Sequence, residues 1–165
     1  MNEQLILNWN NCVRPDDTVY HLGDVALGQK SALGPILERL NGKIHLILGN
    51  HEKPALTYKN RFESVHDLLS INIDRQHIVL CHYAFEVWPY SHKGSWHLHG
   101  HSHGALVRRP FRFDIGVDSV ARYLADKNNT KILPEYYRPL SFEELKDVFA
   151  NDTFVSVDHH NQGIN

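Results

Sequence analysis

The chain has 165 residues, enough for one domain and short for two. Apolar residues make up 42% and charged residues 22%, so an ordinary core can form, and the net charge of -2 supplies no overall basic field to hold nucleic acid through its phosphates. No run approaches the roughly 18 apolar residues of a membrane span, no signal-peptide pattern opens the chain, and Cys12 and Cys81 lack C-x-x-C spacing, so a reduced, cytoplasmic setting without a membrane partner is the simpler expectation.

In chain order, Leu5, Ile6, Trp9, Cys12 and Val13 fall at helical spacings and predict an amphipathic helix over 1–13. Arg14-Pro15-Asp16-Asp17 stops it in a turn. A short strand over 18–22 follows, ending at Gly23-Asp24. Leu33, Ile36, Leu37 and Leu40 recur as a helix stripe, with Gly42 where that helix would end. Residues 43–48 read as a second strand, ending at Gly49-Asn50-His51. The stretch 52–70 reads as a short helix and a turn. A third strand is expected over 77–81, ending at His82, and a fourth over 95–99, ending at Gly100-His101-Ser102-His103. Residues 111–117 read as another strand and 118–140 as loop or insertion, broken by Pro134 and Pro139. Ser141 and Glu144 form a capping box ahead of a helix over 142–150. The domain therefore spans 1–150, with a polar tail over 151–165 in which 154–157 could add a strand.

Strands alternating with helical patterns predict an α/β domain, and in such sheets ligands gather at the carboxyl ends of strands. Four strand candidates here run straight into polar clusters. Asp24, Asn50, His82, His101 and His103 together offer carboxylate, amide oxygen and imidazole without thiolate, a donor set that suits Mn, Fe or Zn. A carboxylate such as Asp24 could bridge two ions about 3.5–4 Å apart, a pair able to clamp a phosphate and activate water. His51, beside Asn50, is placed to protonate a leaving alkoxide.

The chain carries 13 histidines, and most need no function. His45, His66, His77, His92, His159 and His160 read as ordinary surface or core residues. His21 reads as a packed strand residue, and His97 and His99 as groups supporting His101 from the same strand face. The functional case rests on the set of strand-end clusters, not on any one member.

Gly23-Asp24, Gly49-Asn50-His51, His82 and Gly100-His101-Ser102-His103 resemble, in order and rough spacing, the motifs of calcineurin-like metallophosphoesterases. Thr-Val-Tyr-His-Leu-Gly-Asp at 18–24 and Gly-Ser-Trp-His-Leu-His-Gly-His-Ser-His-Gly at 94–104 look like its small bacterial and phage branch. The resemblance covers roughly residues 1–117. It implies a four-layered αββα sandwich and a phosphatase or phosphodiesterase with a binuclear metal centre. Its substrate would be a small phosphate ester or nucleotide. Asp24 would bridge the metals, Asn50, His82 and His101 would complete the second, His103 would serve the first, and His51 would be catalytic.

Two departures stand beside it. Glu52 replaces the aspartate that usually follows Gly-Asn-His, which touches only local hydrogen bonding. The family also opens on a strand ending in Asp-x-His, and none precedes Asp24; the first occurrence is Asp158 with His160, in the tail. The expectation is therefore a weakened first metal site and a sheet short of one strand. The alternative reading is an inactive remnant that binds metal or phosphate without turnover. Trp88, Tyr90 and Trp96 flank the site as candidates to stack on a base or simply to pack. Arg108, Arg109 and Arg112 are the one dense basic cluster, a weak argument for nucleic acid.

Overall fold

The computed structural model describes residues 2–25 and 30–153. The strand expected over 154–157 and the Asp158/His160 pair lie outside the described residues. The chain is α/β. Helix α1 (Asn2–Cys12) leads to strand β1 (Thr18–His21), α2 (Lys30–Leu37), β2 (Lys43–Ile47) and the short α3 (Lys53–Leu56). Strands β3 (Ser64–His66), β4 (Leu68–Ile73), β5 (Gln76–Cys81), β6 (Trp96–His99) and β7 (Arg112–Asp114) follow, then α4 (Val117–Lys127) and α5 (Phe142–Phe149).

Two sheets form. The first is all parallel in the order β1-β2-β3, with His21 opposite Leu46 and Leu46 opposite Val65. The second is mixed, in the order β4-β5-β6-β7: β4 and β5 are antiparallel, and β6 and β7 continue parallel, with Leu80 opposite Leu98 and His99 opposite Asp114. Only Asp67 separates β3 from β4, so the chain passes between sheets there. Asp74 and Arg75 both have positive φ, as a two-residue turn matching strand twist requires.

Alternation along the strands divides the core. Leu22 and Ile47 of the first sheet, Ile78, Leu80, Trp96 and Leu98 of the second, and Leu145, Val148 and Phe149 of α5 share one buried cluster. Leu33 and Leu37 of α2 cover the opposite face of the first sheet, against Ile44 and Leu46. At about 25 cal/mol per Å² of apolar surface, side chains of this size contribute about 1.5–3 kcal/mol each when fully buried. Helix α1 is pinned by its polar residues: Asn8 donates to the carbonyls of Pro134 and Tyr137 at 2.7 and 3.0 Å, and Trp9 Nε1 donates to Asn41 at 2.8 Å.

Three sequence expectations need correction. Residues 118–140 are not simply loop, because α4 occupies 117–127. Its buried face is Ser119, Val120, Ala121, Leu124 and Ala125; Val120, Ala121 and Leu124 fall at helical spacing, a stripe masked in the sequence by the polar residues between them and by Pro134 and Pro139 further on. The stretch 52–70 contains β3 and the start of β4 as well as α3; three residues are too few for a pattern to register. Helix α2 ends at Leu37, not at Gly42, whose φ of +96° serves the loop entering β2. The capping box is present as expected: the Glu144 N–H donates to Ser141 Oγ at 3.2 Å, and the Ser141 N–H to the Glu144 carboxylate at 2.9 Å. No helix among the described residues is long and apolar enough to cross a membrane, and Cys12 and Cys81 are both free.

Candidate metal centre

Four of the strand-end residues come together. His82, 2% exposed, leaves β5 with its Nδ1 at 2.7 Å from the carbonyl oxygen of Leu22, at the end of β1. A carbonyl only accepts, so Nδ1 carries the proton, and in the neutral ring Nε2 presents its lone pair. That Nε2 lies 3.0 Å from Asn50 Oδ1, 3.2 Å from His101 Nδ1 and 3.5 Å from Asp24 Oδ2. His101 Nδ1 is in turn 2.9 Å from Asn50 Oδ1. The ligand-type atoms of Asp24, His82 and His101 all fall within 4.8 Å of one another.

These spacings fit a cation. Ligand bonds of about 2.1 Å put neighbouring donor atoms about 3–3.4 Å apart around a common ion. The atoms gathered here are mostly acceptors, which repel one another unless positive charge lies between them. Carboxylate and amide oxygens with imidazole nitrogens suit Mn, Fe or Zn.

The turns that deliver these atoms are tightly built. Gly23 has a φ of +90°, and a Cβ there would lie 2.6 Å from both Gly49 N and His82 Nδ1. A Cβ on Gly49 would strike the carboxylate of Asp24 and lie 2.7 Å from its backbone nitrogen. Asp24 and His101 themselves adopt positive φ, 53° and 64°, a conformation costing on the order of 1 kcal/mol that persists where surroundings impose it. The Asp24 carboxylate is aimed by the His51 backbone N–H, which donates to Oδ1 at 2.9 Å and leaves Oδ2 facing the cluster. Glu52, 4% exposed, accepts from the backbone N–H groups of Asp24 and Gly49, joining the first two turns. Burial pushes its carboxyl above the usual range.

His103 does not join the cluster. It is exposed, and its Nδ1 pairs with Asp118 Oδ2 at 2.8 Å, a hydrogen bond that raises its pKa. His51 is also exposed, with its backbone beside Asp24.

His97 and His99 share a buried face, with ring centroids 5.6 Å apart, but they serve the backbone. His97 Nδ1 donates to Val79 at 3.0 Å, and its Nε2 accepts from the Phe85 N–H at 3.0 Å, which ties the loop after His82 to the sheet. Burial lowers its pKa to about 4. His99 Nδ1 donates to the Gly100 carbonyl at 2.9 Å. His21 stacks near Trp9, and burial lowers its pKa to about 4. Trp88 and Trp96 are packing residues: Trp88 Nε1 donates to Ser95, and Trp96 sits against Phe142 and Phe149. Tyr90 is exposed and meets His77 edge-on.

Sequence reasoning passed over Asp114. At the end of β7 it accepts from Ser102 Oγ at 2.7 Å, from the Gly104 N–H at 2.8 Å and from the Gly116 N–H at 2.9 Å. Arg122 of α4 adds a 2.7 Å bond to the His103 carbonyl. The loop carrying His101 and His103 is thus held from β7 and α4. The signal was available: Asp114 ends a strand and is followed by Ile115-Gly116, the pattern that marked the other clusters, but the expected strand ran on to 117 and hid it. Tyr83, also passed over, places its ring edge-on to His82 and His101, with centroids 5.0 and 4.9 Å away.

No family model matches the chain. It is similar to an uncharacterized protein of Methanocaldococcus jannaschii, 37% identical over 105 residues, covering 62% of this chain and 53% of that protein. The match thus spans about half the length of the archaeal relative. It is also similar to the Gene 66 proteins of Mycobacterium phages D29 and L5. These are 28% identical over 144 residues (67% of this chain, 72% of the phage protein) and 27% over 154 (71% and 73%). A crystal structure of a protein of unknown function from Aquifex aeolicus superposes with a TM-score of 0.60 at 23% identity, covering 89% of this chain and 84% of that one, a likeness in α/β fold.

Proposed function

We propose that this chain is a metal-dependent phosphoesterase that hydrolyses phosphate monoesters or diesters. The observation that carries the reading is the convergence of ligand-type atoms of Asp24, Asn50, His82 and His101 at spacings suited to one divalent ion. A second ion would have Asp24 and His103 as its nearest sequence-expected ligands. The two sheets sharing a core, with α2 outside the first, support the four-layered αββα arrangement.

A bound divalent ion supplies the positive charge that acidifies water and neutralises phosphoryl oxygens. The chain's own residues do the rest. Asp24, Asn50, His82 and His101 hold the charge at the strand ends, and the Leu22 carbonyl keeps His82 in the ligating tautomer. Glu52 and the His51 N–H orient Asp24. In the reaction, water oxygen joins phosphorus, the bond from phosphorus to the alcohol oxygen breaks, and the alcohol leaves with a proton. His51 is the residue proposed to donate it.

A second reading is metal or phosphate binding without turnover. It is favoured by His103, which pairs with Asp118 instead of extending the cluster. A nucleic-acid partner has little support, because Arg108 pairs with Asp152, and Arg109 and Arg112 both pair with Glu86. The test is Mn²⁺-dependent hydrolysis of bis-p-nitrophenyl phosphate, with His51→Ala and His101→Ala in parallel. Hydrolysis that needs metal and is lost in His101→Ala supports the esterase. Metal binding by a folded chain that turns over no ester supports the second reading.

A further inference from the structure

Beside the acceptor cluster lies a cleft of about 510 Å³ between the end of β2, helix α3, the start of β4 and the loop after β5. Two residues join it directly to the candidate metal centre. Asn50 lines the cleft and contributes its Oδ1 to the cluster. Tyr83 also lines the cleft, and its ring edge meets both His82 and His101.

Away from these two residues much of the cleft is apolar, with Glu52, Lys53 and Asp67 as its charged members. Leu48, Leu56, Leu68 and Phe85 form much of its wall. Leu56, Leu68 and Tyr83 are 41%, 42% and 45% exposed, so three large apolar side chains face solvent around one hollow next to polar chemistry. Isolated exposed leucines mean nothing, but a concave group of them beside convergent polar atoms is how small-molecule sites are built. The charged side chains of the wall do not suit a polyanion: Lys53 is one cation beside two carboxyl groups, Glu52 and Asp67.

We infer that this cleft seats the organic half of the substrate, and that the substrate class is a phosphate ester of a flat aromatic or heteroaromatic alcohol. This deepens the phosphoesterase reading and rests on it. The phosphoryl group lies at Asn50 and His101, the ring passes over Tyr83, and its far edge contacts Leu56 and Leu68. A polyphosphate would leave the apolar wall wet and gain nothing from it, and an aliphatic ester would lack the flat face to stack on Tyr83.

The test uses non-hydrolysable probes with the full chain in Mn²⁺: phenylphosphonate and methylphosphonate, titrated by calorimetry. Phenylphosphonate is expected to bind about tenfold more tightly, the return on partly burying one ring. Leu56→Asn and Leu68→Asn change exposed side chains that do not touch the metal-centre residues and add no charge, so both variants should fold. Each should remove most of the tenfold preference and leave methylphosphonate binding within about twofold. Equal binding of the two probes by the unaltered chain, or a preference that survives both substitutions, overturns the cleft assignment alone. If neither probe binds to a chain that binds Mn²⁺, the phosphoesterase reading falls, and the cleft assignment with it.

Discussion

His82 and Leu22 are sixty positions apart, yet the ring Nδ1 of one lies 2.7 Å from the carbonyl oxygen of the other. Leu22 follows β1 of the first sheet, and His82 follows β5 of the second. The bond therefore joins the carboxyl ends of two sheets and sets the tautomer of the ring at once. A metal-ligating histidine needs such a partner to present the right nitrogen. His82→Ala should lower Mn²⁺ or Zn²⁺ affinity by at least tenfold and also leave the Leu22 carbonyl without its donor, costing about 1–3 kcal/mol. Metal titration and urea unfolding of the same sample separate the two effects.

The loop that carries His101 depends on Asp114, which accepts three hydrogen bonds from it and from the start of α4. Those donors hold the carboxyl below its usual range against the opposing effect of burial, with Ser102 the largest of the lowering contacts. Ser102→Ala removes one bond and should weaken metal binding about threefold. Asp114→Ala removes all three and should weaken it tenfold or more, in the range typical of groups that orient ligands. The Co²⁺ absorption spectrum reports the ligand geometry, and an unaltered spectrum in Asp114→Ala would defeat the assignment.

Gly49→Ala tests the packing of one turn on the other. The new methyl group would meet the Asp24 carboxylate and backbone nitrogen. Moving the nitrogen displaces its bond to Glu52, and moving the carboxylate displaces its bond from the His51 N–H. Overpacking of this kind costs about 1–3 kcal/mol. The expected result is a lower melting temperature together with lost metal affinity, whereas Gly94→Ala, with open space around it but positive φ, should affect stability alone.

His97 predicts a pH dependence of stability. Burial depresses its folded pKa to about 4, so the folded state keeps it neutral while the unfolded chain takes up a proton below about 6.5. The stability it contributes is therefore complete above pH 6.5 and is lost as pH falls through that value towards 4. Between pH 7 and pH 5 the loss should be about 1–2 kcal/mol by urea unfolding. His97→Gln should flatten the slope over that window; an unchanged slope would show that His97 is not the group responsible.

The local chemistry of this chain was legible in its sequence. Turn residues, the Ser141 capping box and the run of four strands into polar clusters depend on neighbours a few positions apart, and those interactions can be read from a string. The α/β class follows from the same local alternation. Two elements were missed for different reasons: β3 has only three residues, too few for a pattern, whereas α4 carries a regular stripe of Val120, Ala121 and Leu124 inside a stretch whose polar residues and prolines read as loop.

The site divides the same way. Residue types nominated Asp24, Asn50, His82, His101 and His103 together, because a strand end looks alike wherever its strand lies. Only the tertiary structure shows which of their side chains meet. His103 turns to Asp118, Asp114 holds the loop, and Tyr83 links the cluster to a cleft. Distances among side chains from different strands depend on sheet order and register, and neither is encoded by any single segment of the chain.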